Sequence, residues 1–95
     1  MSAARATTVV DDERVRVTTL TFDAIGDATG WHVHEYDYVI VPVTGGTFEV
    51  TAADGAKHEL AQQAGSPYLG QADTEHDVAN VGAPAATFVE IELKR

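Results

Sequence analysis

His32 and His34 stand one residue apart in "GWHVHEYDYVIVPVTGG", residues 30–46, and His76 follows in "TEHDVAN". Side chains alternate along a strand, so a His-x-His pair aims both imidazoles at one face. Imidazole is a common ligand of divalent transition metals, and a pair backed by a third histidine describes a three-histidine metal centre. The competing account is three unrelated histidines near turns, each with an ordinary hydrogen bond. The chain has no cysteine, which excludes a thiolate site and a disulfide framework. A metal must therefore rest on histidine, carboxylate or phenolate.

The elements that would carry these residues read as strands separated by turns. "RVRVTTLTF" (14–22) is rich in Val and Thr, which favour a pleated sheet. Its apolar parity slips from Val15 and Val17 to Leu20 and Phe22, which predicts a bulge or bend near Thr18 and Thr19. "WHVHEYDYVIVPV" (31–43) is one long strand or two short ones, with Pro42 at an edge, a bulge or an end. "TGG" turns the chain into "TFEVTA", and "ADG" (53–55) marks a hairpin that returns through "AKHELAQ". Two short strands are expected within "AGSPYLGQADTEHDVANVGAPAA". "TFVEIELKR" closes the chain with Val89, Ile91 and Leu93 on one face and Glu90 and Glu92 on the other. No stretch sustains a helical period. Seven or more short strands predict an all-β sandwich or barrel.

Ninety-five residues form a single domain, 1–95, with a core over about 14–93 and a strand-like arm at about 6–10. The net charge of −9 argues against nucleic acid and anionic membrane surfaces as partners. No apolar run suggests a signal peptide or a membrane span, so a cytoplasmic protein is expected. The arm "ATTVV" is β-prone, and a small barrel has open sheet edges. These features predict a homodimer with N-terminal strands exchanged or added across the interface.

The spacing resembles that of the cupin superfamily. Its first motif is a glycine, five residues, His-x-His, three or four residues, a glutamate, six residues and a glycine. Gly26, His32, His34 and Gly45 match it, but Tyr38 stands where the glutamate belongs. In the second motif Gly65, His76 and Asn80 fall in place, with Gln71 and Asp73 at its proline and glycine positions. The resemblance implies a cupin jelly-roll barrel of two packed antiparallel sheets, RmlC-like, with a metal inside it held by His32, His34 and His76. It places His58, in "DGAKHEL", on the surface away from the metal, and Asn80 at a turn or strand end.

Strand parity limits what replaces the glutamate. In an unbroken strand Tyr36 and Tyr38 share the histidines' face while Glu35 and Asp37 face away. The alternatives are an open or water-completed three-histidine site, a Tyr38 phenolate, Asp37 turned inward by a bulge, or no metal. Gln71, Asp73 and Glu75 lie near His76 and could accept its second ring N–H. Three imidazoles suit iron, nickel, zinc, manganese or copper better than calcium or magnesium. The expected function is a small-molecule metalloprotein, with dioxygenase-like oxidoreductase chemistry implied by analogy and Tyr38 as a catalytic proton donor. The alternatives are a non-catalytic metal- or ligand-binding cupin and an isomerase- or epimerase-type cupin.

Overall fold

Alternation of apolar and polar residues builds most of the strands, and turn residues end them. The computed structural model describes residues 3–82 and 84–95, and among these it forms nine strands. They are β1 (Arg5–Asp11), β2 (Val15–Phe22), β3 (His32–Val33), β4 (Asp37–Pro42), β5 (Gly46–Ala52), β6 (Lys57–Gln62), β7 (Tyr68–Gly70), β8 (Glu75–Asn80) and β9 (Ala86–Leu93). In β5, Phe48 and Val50 are buried while their neighbours are half-exposed. The β5–β6 hairpin closes through Asp54 and Gly55, with Gly55 N–H donating to the Ala52 carbonyl at 2.9 Å. Gly45 has φ +75°, and a Cβ there would come within 3.0 Å of the Gln62 carbonyl, so conformation and space both require glycine.

The strands form two antiparallel sheets, ordered β1-β2-β9-β4-β7 and β3-β8-β5-β6. The expected all-β jelly roll is the fold observed. Phe48 from the smaller sheet meets Phe22 and Phe88 from the larger one, with ring centroids 5.1 to 5.7 Å apart. Phe22 and Phe48 are fully buried, and truncating any of the three rings would cost about 3–5 kcal/mol. This aromatic cluster joins the two sheets at the core.

The 31–43 run divides into two strands on different sheets, β3 and β4, with residues 34–36 crossing between them. Pro42 ends β4, where its missing N–H costs no further ladder bond. The bulge expected near Thr18 and Thr19 is not there. β2 pairs with β9 without interruption from Val15 to Phe22, and the register shift lies opposite, in β1 between Thr8 and Val10. The apolar parity of β2 slips because the strand has two apolar faces: Leu20 and Phe22 turn inward, and Val15 and Val17 turn outward. β1, the predicted arm, is exposed throughout and pairs with β2 of its own chain as the edge of the larger sheet.

Asp73 occupies the place of a motif glycine and has φ +69°. Aspartate tolerates this left-handed conformation better than most residues, and a β-branched residue does not. Asp73→Val should therefore lower unfolding stability by about 1–2 kcal/mol, whereas Asp73→Gly should stay within about 0.5 kcal/mol of the parent, as measured by urea denaturation.

Candidate metal centre

The barrel's inner face can be followed row by row. On the larger sheet Arg16, Glu92, Tyr38 and Gly70 make one row, and Thr18, Glu90, Ile40 and Tyr68 make the next. Leu20, Phe88 and Pro42 lie below them. On the smaller sheet His32 pairs with His76, and His76 pairs with Ala52. Beneath this pair Val78, Val50 and His58 form a row, followed by Asn80, Phe48 and Leu60. The histidines thus stand opposite the charged rows, above an apolar interior.

His34 lies just past β3, held by backbone bonds to the turn before β8: its N–H donates to the Thr74 carbonyl at 2.8 Å, and its carbonyl accepts from Asp73 N–H at 2.7 Å. The three predicted ligands converge. His34 Nε2 is 3.1 Å from His32 Nε2 and 3.1 Å from His76 Nε2, and the ligand atoms of all three lie within 4.8 Å of one another. Two nitrogens bound about 2.1 Å from one ion at 90–110° would be about 3.0–3.4 Å apart, the spacing that His34 keeps from each of the other two histidines. Nδ1 of His32 is 2.9 Å from the Gly30 carbonyl. A proton there is donated to that oxygen and leaves Nε2 with its lone pair toward the other two rings.

Burial, followed by the like charges of His32 and His76, pulls the His34 imidazole down to about 4. Burial and then His32 do the same to His76, also to about 4, against the opposing pull of Asp77. Both rings are neutral at pH 7, the form that ligates metal.

Tyr38 is buried and its ring stacks on His34, with centroids 3.9 Å apart and planes 19° from parallel. A Cβ on Gly70 would overlap the tyrosine ring, so Gly70 makes room for the stack. Burial raises the phenol's pKa, against a smaller opposing pull from Thr74, and this opposes a phenolate ligand. Asp37 is not turned inward: it is exposed, and its Oδ1 accepts from Ala72 N–H at 2.8 Å. The break at 34–36 keeps His34 and Tyr38 both inward, so no bulge reverses Asp37. Glu35 is exposed at the cavity rim. Among the described residues, no side-chain hydrogen bond joins Gln71, Asp73 or Glu75 to the His76 ring; Gln71 instead accepts from Thr74 Oγ1 at 2.7 Å. His58 is exposed on β6, outside the histidine cluster but on the rim of the cavity. Asn80 is fully buried, and its Nδ2 donates to the Ala24 carbonyl at 3.2 Å, tying the strand end to the loop before β3.

Sequence reasoning did not identify Glu90, Glu92 and Arg16 as part of the site. Glu90 Oε1 lies 3.8 Å from His34 Nδ1, too far for a hydrogen bond but within electrostatic reach. Arg16 donates from Nη2 and Nε to Glu92 Oε2 at 2.6 and 3.0 Å. Burial, then the hydrogen bond and charge of Glu92, push Glu90 up to about 7. The available signal was the shared parity of Ala86, Phe88, Glu90 and Glu92, which puts the acids on the face of a core phenylalanine. A cavity of about 710 Å³ joins the histidines to these acids and to Leu60, Gln62 and Tyr68. That size is typical of a small-molecule site.

Fold and site together define a small β-barrel protein with a three-histidine cluster, able to hold a metal ion, beside an internal cavity. No family model matches the chain. It is 42% identical over 88 residues to a Pseudomonas aeruginosa protein named beta-alanine degradation protein BauB, covering 93% of this chain and 90% of that one. A crystal structure of a cupin domain from Bordetella pertussis Tohama I aligns with 37% identity and a TM-score of 0.92, over 99% of this chain and 96% of that one. An RmlC-like cupin with a double-stranded β-helix fold from Methanocaldococcus jannaschii shares the fold at 13% identity and a TM-score of 0.78, over 98% of this chain and 82% of that one. The chain belongs to the cupin superfamily.

The shifted groups have opposite effects on stability. Between about 4 and 6.5 the unfolded chain binds protons on His34 and His76 that the metal-free fold does not, so their contribution rises with pH. Between 4.5 and about 7 the fold keeps a proton on Glu90 that the unfolded chain has lost, so that contribution falls as pH rises. Glu90→Gln keeps a donor toward Glu92 and removes only the second effect. Urea unfolding of chelator-treated protein should therefore show stability climbing more steeply from pH 4.5 to 6.5 in Glu90→Gln than in the parent; parallel slopes would mean that Glu90 ionises normally.

Proposed function

We propose that this cupin is a small-molecule metalloenzyme in which His32, His34 and His76 hold one divalent transition metal of the iron, nickel, zinc, manganese or copper group. The observation that carries the reading is the convergence of three Nε2 atoms, with His34 3.1 Å from both His32 and His76, and with the His34 and His76 rings kept neutral by burial. With each ring protonated on Nδ1, the Nε2 lone pairs face one another, an arrangement that a shared cation satisfies. Three protein ligands leave coordination positions free, as in catalytic sites. The bound metal would supply Lewis-acid polarisation or dioxygen activation there.

The chain's own groups do the rest. The Gly30 carbonyl sets the His32 tautomer, and Tyr38 holds the plane of His34. We assign Tyr38 to positioning, in place of the proton-donating role expected from its parity, because its ring is buried and stacked on His34. Glu90, close to half-ionised at neutral pH and facing the cavity, is the better placed group to give or take a substrate proton. The cavity reaches the rim at Val33 and Glu35, which favours reaction over a sealed structural site. The relative named for β-alanine degradation supports a small metabolite as substrate. Oxygenase chemistry is the preferred reaction class.

Protein purified without added metal should carry about one equivalent of a redox-active metal by elemental analysis, and His76→Ala should lose it while remaining folded. Zinc alone would exclude the oxygenase chemistry, and full retention of metal in His76→Ala would remove the three-histidine site.

The outer face of the larger sheet supports a homodimer. Val17, Val39, Val41, Val89 and Ile91 lie side by side there, with Leu69 and Leu93 at 64% and 37% exposure. A contiguous apolar face of this kind is seldom left in water, and a second copy would cover it symmetrically. Light scattering at micromolar concentration should give the dimer mass, and Val39→Glu combined with Ile91→Lys should give the monomer.

A further inference from the structure

Gln62 is 8% exposed, and its Oε1 is buried with no hydrogen-bond partner. Its Nε2 donates to the Tyr68 hydroxyl at 2.9 Å, and both side chains line the cavity that contains the histidines. Reversing the amide would satisfy Oε1 from the phenol but strand Nε2, so one polar position of Gln62 stays unused either way. An unmatched buried amide atom costs about 1–3 kcal/mol. Leucine would fill the space more cheaply, and Leu60 already occupies the next inward position of β6. The polar group is thus unexplained by the packing of the barrel.

Its position suggests what would pair with it. Tyr68 and Glu90 flank Ile40 in one row, two strand spacings or roughly 10 Å apart, and Glu90 is 3.8 Å from His34. The surface between them is apolar: Ile40, Val50, Val78 and Phe88. A ligand anchored at the histidines and lying along this surface would bring its far end to Gln62, whose buried amide must turn toward the cavity for Oε1 to meet it.

We propose that Gln62, supported by Tyr68, is the specificity-determining anchor for the remote end of the ligand, and that the ligand is an elongated small molecule with an apolar middle and a hydrogen-bond donor, an amine or a hydroxyl, opposite its metal-binding end. The assignment deepens the three-histidine reading and rests on it. Gln62 takes no part in the chemistry. It selects among molecules that share the same metal-binding group.

Three six-carbon acids test this: 6-aminohexanoate, 6-hydroxyhexanoate and hexanoate, titrated calorimetrically into metal-loaded protein. The amine and the hydroxyl should bind about 10- to 100-fold more tightly than the methyl-ended acid, since only they satisfy Oε1. Gln62→Leu should abolish the preference while leaving metal content unchanged, and Gln62→Glu, which keeps an acceptor, should retain it. Tyr68→Phe, which only frees Gln62 to turn, should weaken the preference without inverting it. Equal affinity for the three acids in the parent protein would mean that water satisfies Gln62, and would overturn the proposal, as would binding of none of them to protein with full metal content. Failure to take up metal would sink the three-histidine reading instead, and the same series on metal-free protein would then decide the role of Gln62.

Discussion

With His34 Nε2 3.1 Å from the Nε2 atoms of both His32 and His76, adjacent rings cannot both be charged, and the burial of His34 and His76 serves that condition. Two protonated rings at this separation would repel by several kcal/mol even at the effective dielectric of a protein surface. Burial, with the Tyr38 ring stacked on His34, makes charging costly. The backbone then fixes direction. His32 is locked through its Nδ1 contact with Gly30, and His34 through its main-chain pairing with the 73–74 turn. The family's glutamate is replaced by an aromatic ring that fixes a ligand's plane in place of a carboxylate that adds a bond.

The carboxylates of this site lie on the opposite wall. Glu90 and Glu92 belong to β9, in the larger sheet, and face the histidines across the cavity. Arg16 engages Glu92, so one acid is held as an ion pair, while Glu90 keeps a mobile proton near neutral pH. Two acids with different partners can serve different roles, one electrostatic and one in proton transfer. This division arises from the strand register that sets Arg16 beside Glu92 and Thr18 beside Glu90.

Much of this was legible in the chain. The His-x-His spacing, the distant His76, the Asp-Gly hairpin and the count of short strands are local patterns with local causes. Asp73 shows how a departure from a motif can keep its physics, because aspartate adopts the φ that the glycine position demands. The bulge expected in β2 failed for the same reason that the site's acids were missed. In both strands an apolar stripe on the outer face competes with the true core stripe, and alternation alone assigns no side. Val89, Ile91 and Leu93 look like a core face and are the outer one.

The sequence by itself determined the strand-rich class, the grouping of the three histidines and the turns, since these follow from side-chain chemistry and spacing along the chain. Which face of β2 and β9 turns inward was decided only by tertiary structure, because that depends on what each sheet packs against. So were the stacking of Tyr38 on His34, made possible by the bare backbone of Gly70, and the outward rotation of Asp37. Each is a contact between segments that become neighbours only when the two sheets close.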